Sequence, residues 1–467
     1  MEEELSSSVV ELYVGSLLKL KPCLYPESQN QVDKILDECN VDANKIYGCD
    51  AEIVRTVTRG ITVRIPTGKI KRLLDSDWIR SIQFNQPYEY FLNSSVEMIQ
   101  KTQLRNRNLT GKNIRVGVID SGLDENHPDF NGKRIIKKNF SSTGTANDVT
   151  DDDGHGTHVA GIVAGQDNRY QGIAPDADLV IAKVGSRVGI DVLAEAVRWM
   201  ISDLSNDEKP NVINLSMGGP RVIDYRGKWI AVPPPWVFPT FYDDIEDEIR
   251  NAYNSGIPVC VAAGNEGTDY HTPYGTIATP ARIQEAITVG SCQKNRELSP
   301  FSSRGPVRIA IENISEMYDK IVLYDIYNEH IRIIPLIEKY QEMGKIELKQ
   351  KPDILAPGGG FSLELPCKND LGIISSRSSI THHVPCHVGN DHIKMSGTSM
   401  ACPHIAGLVA LLLEGLNKVG SSLPVNGNSV ERIRRSLLQT ATKLGYPDYW
   451  EGRGLVQGSQ ALDDLLP

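Results

Sequence analysis

The chain has 467 residues, beyond the ~250–300 at which one hydrophobic core stops growing, so at least two domains are expected. With 23% charged and 40% hydrophobic residues, it is neither wholly disordered nor collagen-like. A net charge of −10 leaves no broad basic face for a phosphate backbone, which argues against nucleic acid as a partner.

The opening Met1-Glu2-Glu3-Glu4 has the opposite charge to the first segment of a secretory leader. The longest strongly apolar run, Ile405 to Leu413, stops at Glu414; it is about half of the ~20 residues that a bilayer crossing needs. No membrane partner is expected. A cytoplasmic location is expected, with secretion by another route left open. The cysteines at 23, 39, 49, 260, 292, 367, 386 and 402 lack the density of a disulfide scaffold, so reduced thiols are expected.

In chain order, Val9 to Leu18 reads as a strand and Gln31 to Cys39 as a helix. Two strands (Glu52 to Val57, Ile61 to Ile65), a helix (Gly68 to Asp75) and a last strand (Ile79 to Phe84) follow. This β-α-β-β-α-β order is the small α+β, ferredoxin-like plan. A polar stretch from Asn93 to Asn113 joins it to the rest, which sets the expected domains at 1–93 and 94–467.

Beyond Asn113 the pattern changes. Ile114 to Ile119, Leu179 to Val184, Val212 to Leu215, Val259 to Ala263 and Ile287 to Gly290 are short continuous apolar strands. They alternate with helical stretches at His158 to Ala164, Ile190 to Ser202 and Asp243 to Tyr253. Such alternation signals a doubly wound parallel sheet in an α/β domain, whose sites gather beyond the carboxyl ends of the strands.

Three short segments carry chemistry. Val118-Ile119-Asp120-Ser121-Gly122 puts a carboxylate at a strand end, where an Asp also serves simply to start a turn. Asp153 to Gly161 puts His155 at a helix start among glycines, and the His155/His158 spacing taken alone also suits metal ligation. Ser396 to Ala401 puts Ser399 ahead of an apolar helix, where a serine also serves as a plain N-cap. Together the three change meaning. A hydroxyl is a poor nucleophile until an imidazole takes its proton, and the imidazole needs a carboxylate to hold its tautomer.

On these segments the sequence closely resembles the subtilisin-like serine peptidases, from about Gly111 to Gly458. The Asp120, His155, Ser399 order is that of the subtilisins. Asn214 to Gly219 resembles the family's substrate strand, and Ala262 to Gly267 its oxyanion-hole motif. Phe301 to Pro306 and Lys351 to Gly358 resemble two later signatures. The resemblance implies Ser399 as nucleophile, His155 as general base and then acid, Asp120 as its orienting group and Asn265 as oxyanion donor. It implies substrate contacts at Ser216, Met217, Gly218, Ala262, Ala263 and Gly264, with His158 structural.

The first domain, with Asp77 to Pro87, resembles an inhibitory propeptide that aids folding. The resemblance makes it an intramolecular inhibitor, with Tyr88 to Asn93 extended along the cleft and a self-made cut between about Tyr88 and Ser95. Insertions are read near 220–242, 307–350 and 361–392; Lys320 to Tyr324 suggests added strand or helix in the second.

The loop Gln166 to Gln171 is shorter than the family's usual calcium loop, although Asp129 matches a frequent calcium ligand. No cofactor is required on this reading; calcium is compatible but not expected. Cys367, His382, His383, Cys386, His387 and His392 match no established zinc spacing and read as solvated loop residues, so no metal ligand is assigned. The expected activity is serine endopeptidase action on proteins or peptides through an acyl-enzyme. The rival readings are a silent peptide-binding scaffold and a transpeptidase or cyclising enzyme.

Overall fold

A computed structural model describes the backbone of 9–17, 52–57, 60–66 and 79–84. It then describes residues 91 to 466 apart from 186–187, 219–221, 226–227, 232–243, 268–275, 311–345, 361–370, 381–385 and 422. The chain divides into two compact units, Met1–Glu89 and Tyr90–Pro467. In the first, β1 (Val9–Leu17), β2 (Glu52–Val57), β3 (Gly60–Pro66) and β4 (Ile79–Phe84) form an antiparallel sheet in the order β2-β3-β1-β4. The expected helices at 31–39 and 68–75 lie outside the described residues.

The second unit opens with α1 (Phe91–Met98) and α2 (Lys101–Arg105), where the sequence suggests a polar connector. Amphipathic spacing explains the difference. Val96, Ile99, Leu104 and Leu109 are buried in the main core while Glu97, Thr102 and Gln103 stay exposed. The helix also replaces the extended strand expected over Phe91–Asn93.

The chain then runs through β5 (Arg115–Asp120), β6 (Ile135–Asn139), β7 (Asp178–Lys183) and β8 (Val212–Leu215). An antiparallel pair, β9 (Val222–Tyr225) and β10 (Lys228–Ala231), precedes β11 (Val259–Ala262) and β12 (Ile287–Cys292). A second pair, β13 (Val307–Ala310) and β14 (Ile346–Lys349), precedes β15 (Ile354–Pro357). Seven of these form one wholly parallel sheet, ordered β15-β12-β11-β8-β5-β7-β6. The Lys320 to Tyr324 stretch lies outside the described residues.

Both faces of the sheet are covered, as its side-chain alternation shows. Val116, Val118, Leu179, Ile181, Cys260 and Ala262 join the core that contains α3 (His155–Ala164) and the later α6. Ile119, Val180, Ala182, Val259 and Val261 join a second core with α4 (Ile190–Arg198) and α5 (Asp244–Asn254). This is the doubly wound α/β fold read from the sequence. A smaller antiparallel sheet, β16 (Ile373–Ser376), β17 (His387–Val388) and β18 (His392–Met395), has the order β16-β18-β17.

Helix α6 (Thr398–Lys418) is long and apolar enough to cross a membrane, yet 89% of its apolar window lies inside the protein. It is the core helix. Its one buried carboxylate, Glu414, accepts from the Thr110 and Gly111 backbone N–H groups, both at 2.7 Å, and tethers the segment before β5. Cys260, Cys292 and Cys402 are free and buried. Cys386 is disulfide-bonded, so the expectation of reduced thiols fails there.

Three charges are buried beside β15. Asp353 Oδ2 accepts from Lys351 Nζ at 2.6 Å and from Thr288 N–H at 2.7 Å, while Oδ1 accepts from Arg434 Nη2 at 2.7 Å. Asp353→Ala leaves two buried cations facing each other and is expected to cost ~3–5 kcal/mol. Denaturant unfolding of the two proteins checks this; a loss under about 1 kcal/mol, the range of exposed pairs, would contradict it.

Candidate active site

Asp120 ends β5 and is 2% exposed. Its Oδ1 lies 2.7 Å from His155 Nδ1 and accepts the Ser121 backbone N–H at 2.8 Å. A carboxylate only accepts, so Nδ1 is the donor and Nε2 of the neutral ring keeps its lone pair. His155 opens α3 behind Gly154, whose φ of 100° is natural only to glycine. Burial disfavours the charged imidazole, but the Asp120 charge and hydrogen bond outweigh it. With Asp153 and Asp151 behind them, they raise the His155 pKa from 6.5 to about 9.

Asp151, absent from the sequence-based assignment, locks these two segments together. Its Oδ1 accepts from Ser121 Oγ at 2.8 Å and from the Gly154 N–H at 2.8 Å. Its Oδ2 accepts from the Thr157 N–H at 2.8 Å and Thr157 Oγ1 at 2.6 Å. The carboxylate thus satisfies donors at the start of α3 that have no partner within the helix, and ties them to the turn after Asp120.

Ser399 is the second residue of α6. Pro403 stands four residues on and has no N–H, so the Ser399 carbonyl lacks its helical partner. Ser216 Oγ donates to that carbonyl at 2.8 Å, and Ser399 Oγ donates back to the Ser216 carbonyl at 2.8 Å. Ser216 follows β8, which pairs in parallel with β5 through Ile119↔Leu215. Asp120 and Ser216 therefore leave adjacent strand ends ~4.8 Å apart, one holding His155 and the other Ser399.

Asn265 follows Gly264, which has a φ of 107°. Its Oδ1 accepts from the Thr398 N–H at 2.9 Å and from Thr398 Oγ1 at 3.0 Å. With its oxygen held, the amide NH2 is presented beside Ser399. Thr398, also missed in the sequence, donates through the same hydroxyl that accepts the Gly264 N–H at 3.1 Å. Ser216, Met217 and Gly218 emerge past β8 and pass from buried to exposed; Ala262 ends β11, and the chain goes on through buried Ala263 to half-buried Gly264. The structure thus brings every sequence-assigned site residue to one edge of the sheet.

His158, one turn beyond His155, behaves differently. It is fully buried, its Nε2 lies 3.1 Å from the Ile373 carbonyl and 3.2 Å from that of Ile393, and burial lowers its pKa to about 3. It is a neutral packing residue. His404, also buried, is lowered to about 4 by burial.

At Asp129, Oδ1 accepts the Asp167 N–H at 3.0 Å and Oδ2 accepts from Ser376 Oγ. The imidazoles of His392 and His127 face Oδ2 at 3.3 and 3.7 Å. Calcium takes six to eight oxygens, and imidazoles in their place do not fit it. His392 is buried on β18, which corrects its reading as a solvated loop residue; His387 is exposed, and His382 and His383 lie outside the described residues.

A doubly wound sheet presenting a carboxylate, an imidazole and a hydroxyl at neighbouring strand ends is the architecture of an α/β serine hydrolase. Comparison with known proteins makes this specific: residues 111–316 and 338–454 match the subtilase family, and the chain belongs to it. Serine protease AprX of Bacillus subtilis (strain 168) is 31% identical over 394 residues, covering 79% of this chain and 71% of that protein. The major intracellular serine protease of the same organism is 28% identical over 327 residues, 69% of this chain and 75% of that protein. Its subtilisin E is 29% identical over 366 residues, 77% of this chain and 68% of that protein. The chain is a subtilisin-like serine endopeptidase acting on protein or peptide substrates.

Asp120→Asn removes the charge that raises the His155 pKa, so the imidazole is expected to titrate well below about 9. Ring-nucleus NMR of the two proteins reads this directly. An unchanged titration would show that Asp120 does not control the ring.

Proposed function

We propose that Ser399 is the nucleophile, His155 the general base and then acid, and Asp120 the group that orients and stabilises the imidazole. What carries the reading is the 2.7 Å Asp120–His155 bond together with a hydroxyl fixed at the next strand end. Ser399 Oγ turns from the Ser216 carbonyl by one χ1 rotation. It passes its proton to His155 Nε2 and bonds the scissile carbonyl carbon. The carbonyl electron pair moves onto oxygen, where the Asn265 amide and the Ser399 N–H donate to it. Collapse of the adduct expels the amine with the proton from His155, and water resolves the acyl-enzyme by the reverse sequence.

Ser216, Met217 and Gly218 on one side, and Ala262, Ala263 and Gly264 on the other, receive the substrate as an added β-strand. Side chains and backbone groups of this chain handle every proton in these steps, so the chemistry requires no cofactor. Ser399→Ala is expected to abolish hydrolysis and keep the fold, because alanine retains the helix start. Asn265→Ala is expected to lower kcat about 10²–10³-fold with KM little changed. An active, contaminant-free Ser399→Ala protein would refute the assignment.

The imidazole must be neutral to take the proton. Its pKa is raised, so kcat/KM is lost as pH falls through about 9 and gained as pH rises toward it. A profile already flat from about pH 6 upward would contradict this control.

The unit containing β1–β4 acts, on this reading, as an intramolecular inhibitor and folding aid. Its removal requires an extended scissile segment, and Ser95 is fully buried within α1. This supports a cut before Phe91 rather than as far as Ser95. Amino-terminal sequencing is the test: wild type is expected as two parts and Ser399→Ala as one. Identical cutting in both, in a peptidase-free preparation, would make this unit an accessory domain.

A further inference from the structure

A cavity of about 800 Å³ lies at the amino ends of the central strands, away from the edge that carries Asp120. Ile114 and Arg115 border it at the start of β5, Pro210 and Asn211 ahead of β8, and Gly256 and Ile257 ahead of β11. Arg115 opens β5 and Asp120 ends it, so roughly 17 Å of strand separates the two sites. Leu413 and Asn417 near the end of α6, with Ser429 and Ile433 of α7 (Gly427–Gln439), also line it. We propose that this cavity binds an amphiphilic anion, with a carboxylate or phosphate head against Arg115 and Lys209 and an apolar tail along Ile257, Leu413 and Leu423.

The first support is the charge of the lining. The chain has a net charge of −10, yet among the described residues that border the cavity two are cationic and none is acidic. Arg115 Nε donates to the Lys209 carbonyl at 2.6 Å and Nη2 to the Asn206 carbonyl at 3.5 Å, which holds the guanidinium on the loop before β8. Its five N–H donors exceed those two acceptors, so the group keeps donors for an anion. Its neighbours do not neutralise it: burial first, and Arg134 after it, lowers the Arg115 pKa against the pull of Asp178 and Asp207. Neither of these carboxylates borders the cavity, and Asp207 faces Arg134 at 3.7 Å.

The second support is size and lining. Small-molecule sites occupy about 300–1,000 Å³ and pair apolar walls with a few polar groups. Here Ile114, Ile257 and Ile433 are buried core residues, and Leu413 and Leu423 pack half-buried against the core. Val425 also borders the cavity and is 85% exposed. Its segment is fixed. Ser429 Oγ donates to the Pro424 carbonyl, and Asn426 Oδ1 accepts the Asn428 N–H at 3.1 Å. Gly256, at a φ of 76°, approaches so closely that a Cβ there would stand 2.7 Å from the Asn426 nitrogen. A tail that reaches the mouth covers the Val425 side chain and removes apolar surface from water. This inference is independent of the roles proposed for Ser399, His155 and Asp120.

The test uses the full-length Ser399→Ala chain, which does not digest itself on the reading above. It is titrated calorimetrically with sodium decanoate and with decyl phosphate, each kept below the concentration at which it forms micelles. Saturable binding of one anion per chain is expected, and the tighter of the two identifies the head group. Arg115→Met should weaken it about 10-fold, the effect of losing a hydrogen bond to a charged group. Val425→Asp sets a like charge at the mouth and should weaken it too. That position is exposed, so this variant serves where Arg115→Met fails to fold. Decan-1-ol should bind about 10-fold more weakly than the anions, and decyltrimethylammonium should not bind. Absence of saturable binding, equal binding of decan-1-ol or of the cation, or affinity unchanged in a folded Arg115→Met or in Val425→Asp would each overturn the proposal.

Discussion

One absent hydrogen bond organises the site. Pro403 cannot donate to the Ser399 carbonyl, and that vacancy is filled from outside the helix by the Ser216 hydroxyl at 2.8 Å. The return bond from Ser399 Oγ makes the contact reciprocal. The core helix is thereby docked by its first turn onto the carboxyl end of β8, not merely packed against the sheet. The parallel pairing of β8 with β5 then sets how far Asp120 and His155 stand from Ser399. A proline in a helix interior costs about 3 kcal/mol in isolation; here the freed carbonyl is a docking point.

The charges around the site follow from the same layout. Both α3 and α6 begin at the sheet's carboxyl edge, so the positive ends of both helices point into it. A positive imidazole at the start of α3 runs against that field and against burial. The carboxylates of Asp120, Asp151 and Asp153 overcome both, because they lie at the same helix start. His158 shows what happens without them. One turn deeper in the same helix, with no carboxylate beside it, it is driven to a pKa of about 3 by burial first and by the neighbouring His155 and His392 after it. Two histidines three residues apart thus occupy opposite ends of the imidazole range for reasons of placement alone.

Much of this was legible in the sequence, and the exceptions have physical causes. The segments bearing Asp120, His155, Asn265 and Ser399 are short, contiguous and glycine-rich, so their local pattern carries the signal. Thr398 acts through bonds to Gly264 and Asn265, distant in sequence, and the bond of Asp151 to Ser121 likewise spans the chain, so no spacing rule marks either role. Strand β6, Ile135–Asn139, escaped notice because it is an edge strand carrying Lys137 and Lys138, as edges of sheets do. The stretch 93–113 looked like a linker because its apolar residues are few, yet Val96, Ile99, Leu104 and Leu109 fall on one buried side. Cys386 and His392 were read by spacing, which says nothing of burial or of what lies across the fold.

The small sheet of β16, β17 and β18 links these observations. Its strands hold α3 from behind: His158 Nε2 lies on the Ile373 and Ile393 carbonyls, and Ser375 Oγ donates to the His158 carbonyl at 2.8 Å. The next serine, Ser376, holds Asp129. Strand β18 ends at Met395, and the chain passes directly into Ser396, Gly397 and the start of α6. The helix carrying His155 and the helix carrying Ser399 are therefore fastened to one strand pair, at positions three or four residues from each. Packed cores shift between discrete arrangements more readily than they stretch. The proposed base and nucleophile are thus held in register by a common support.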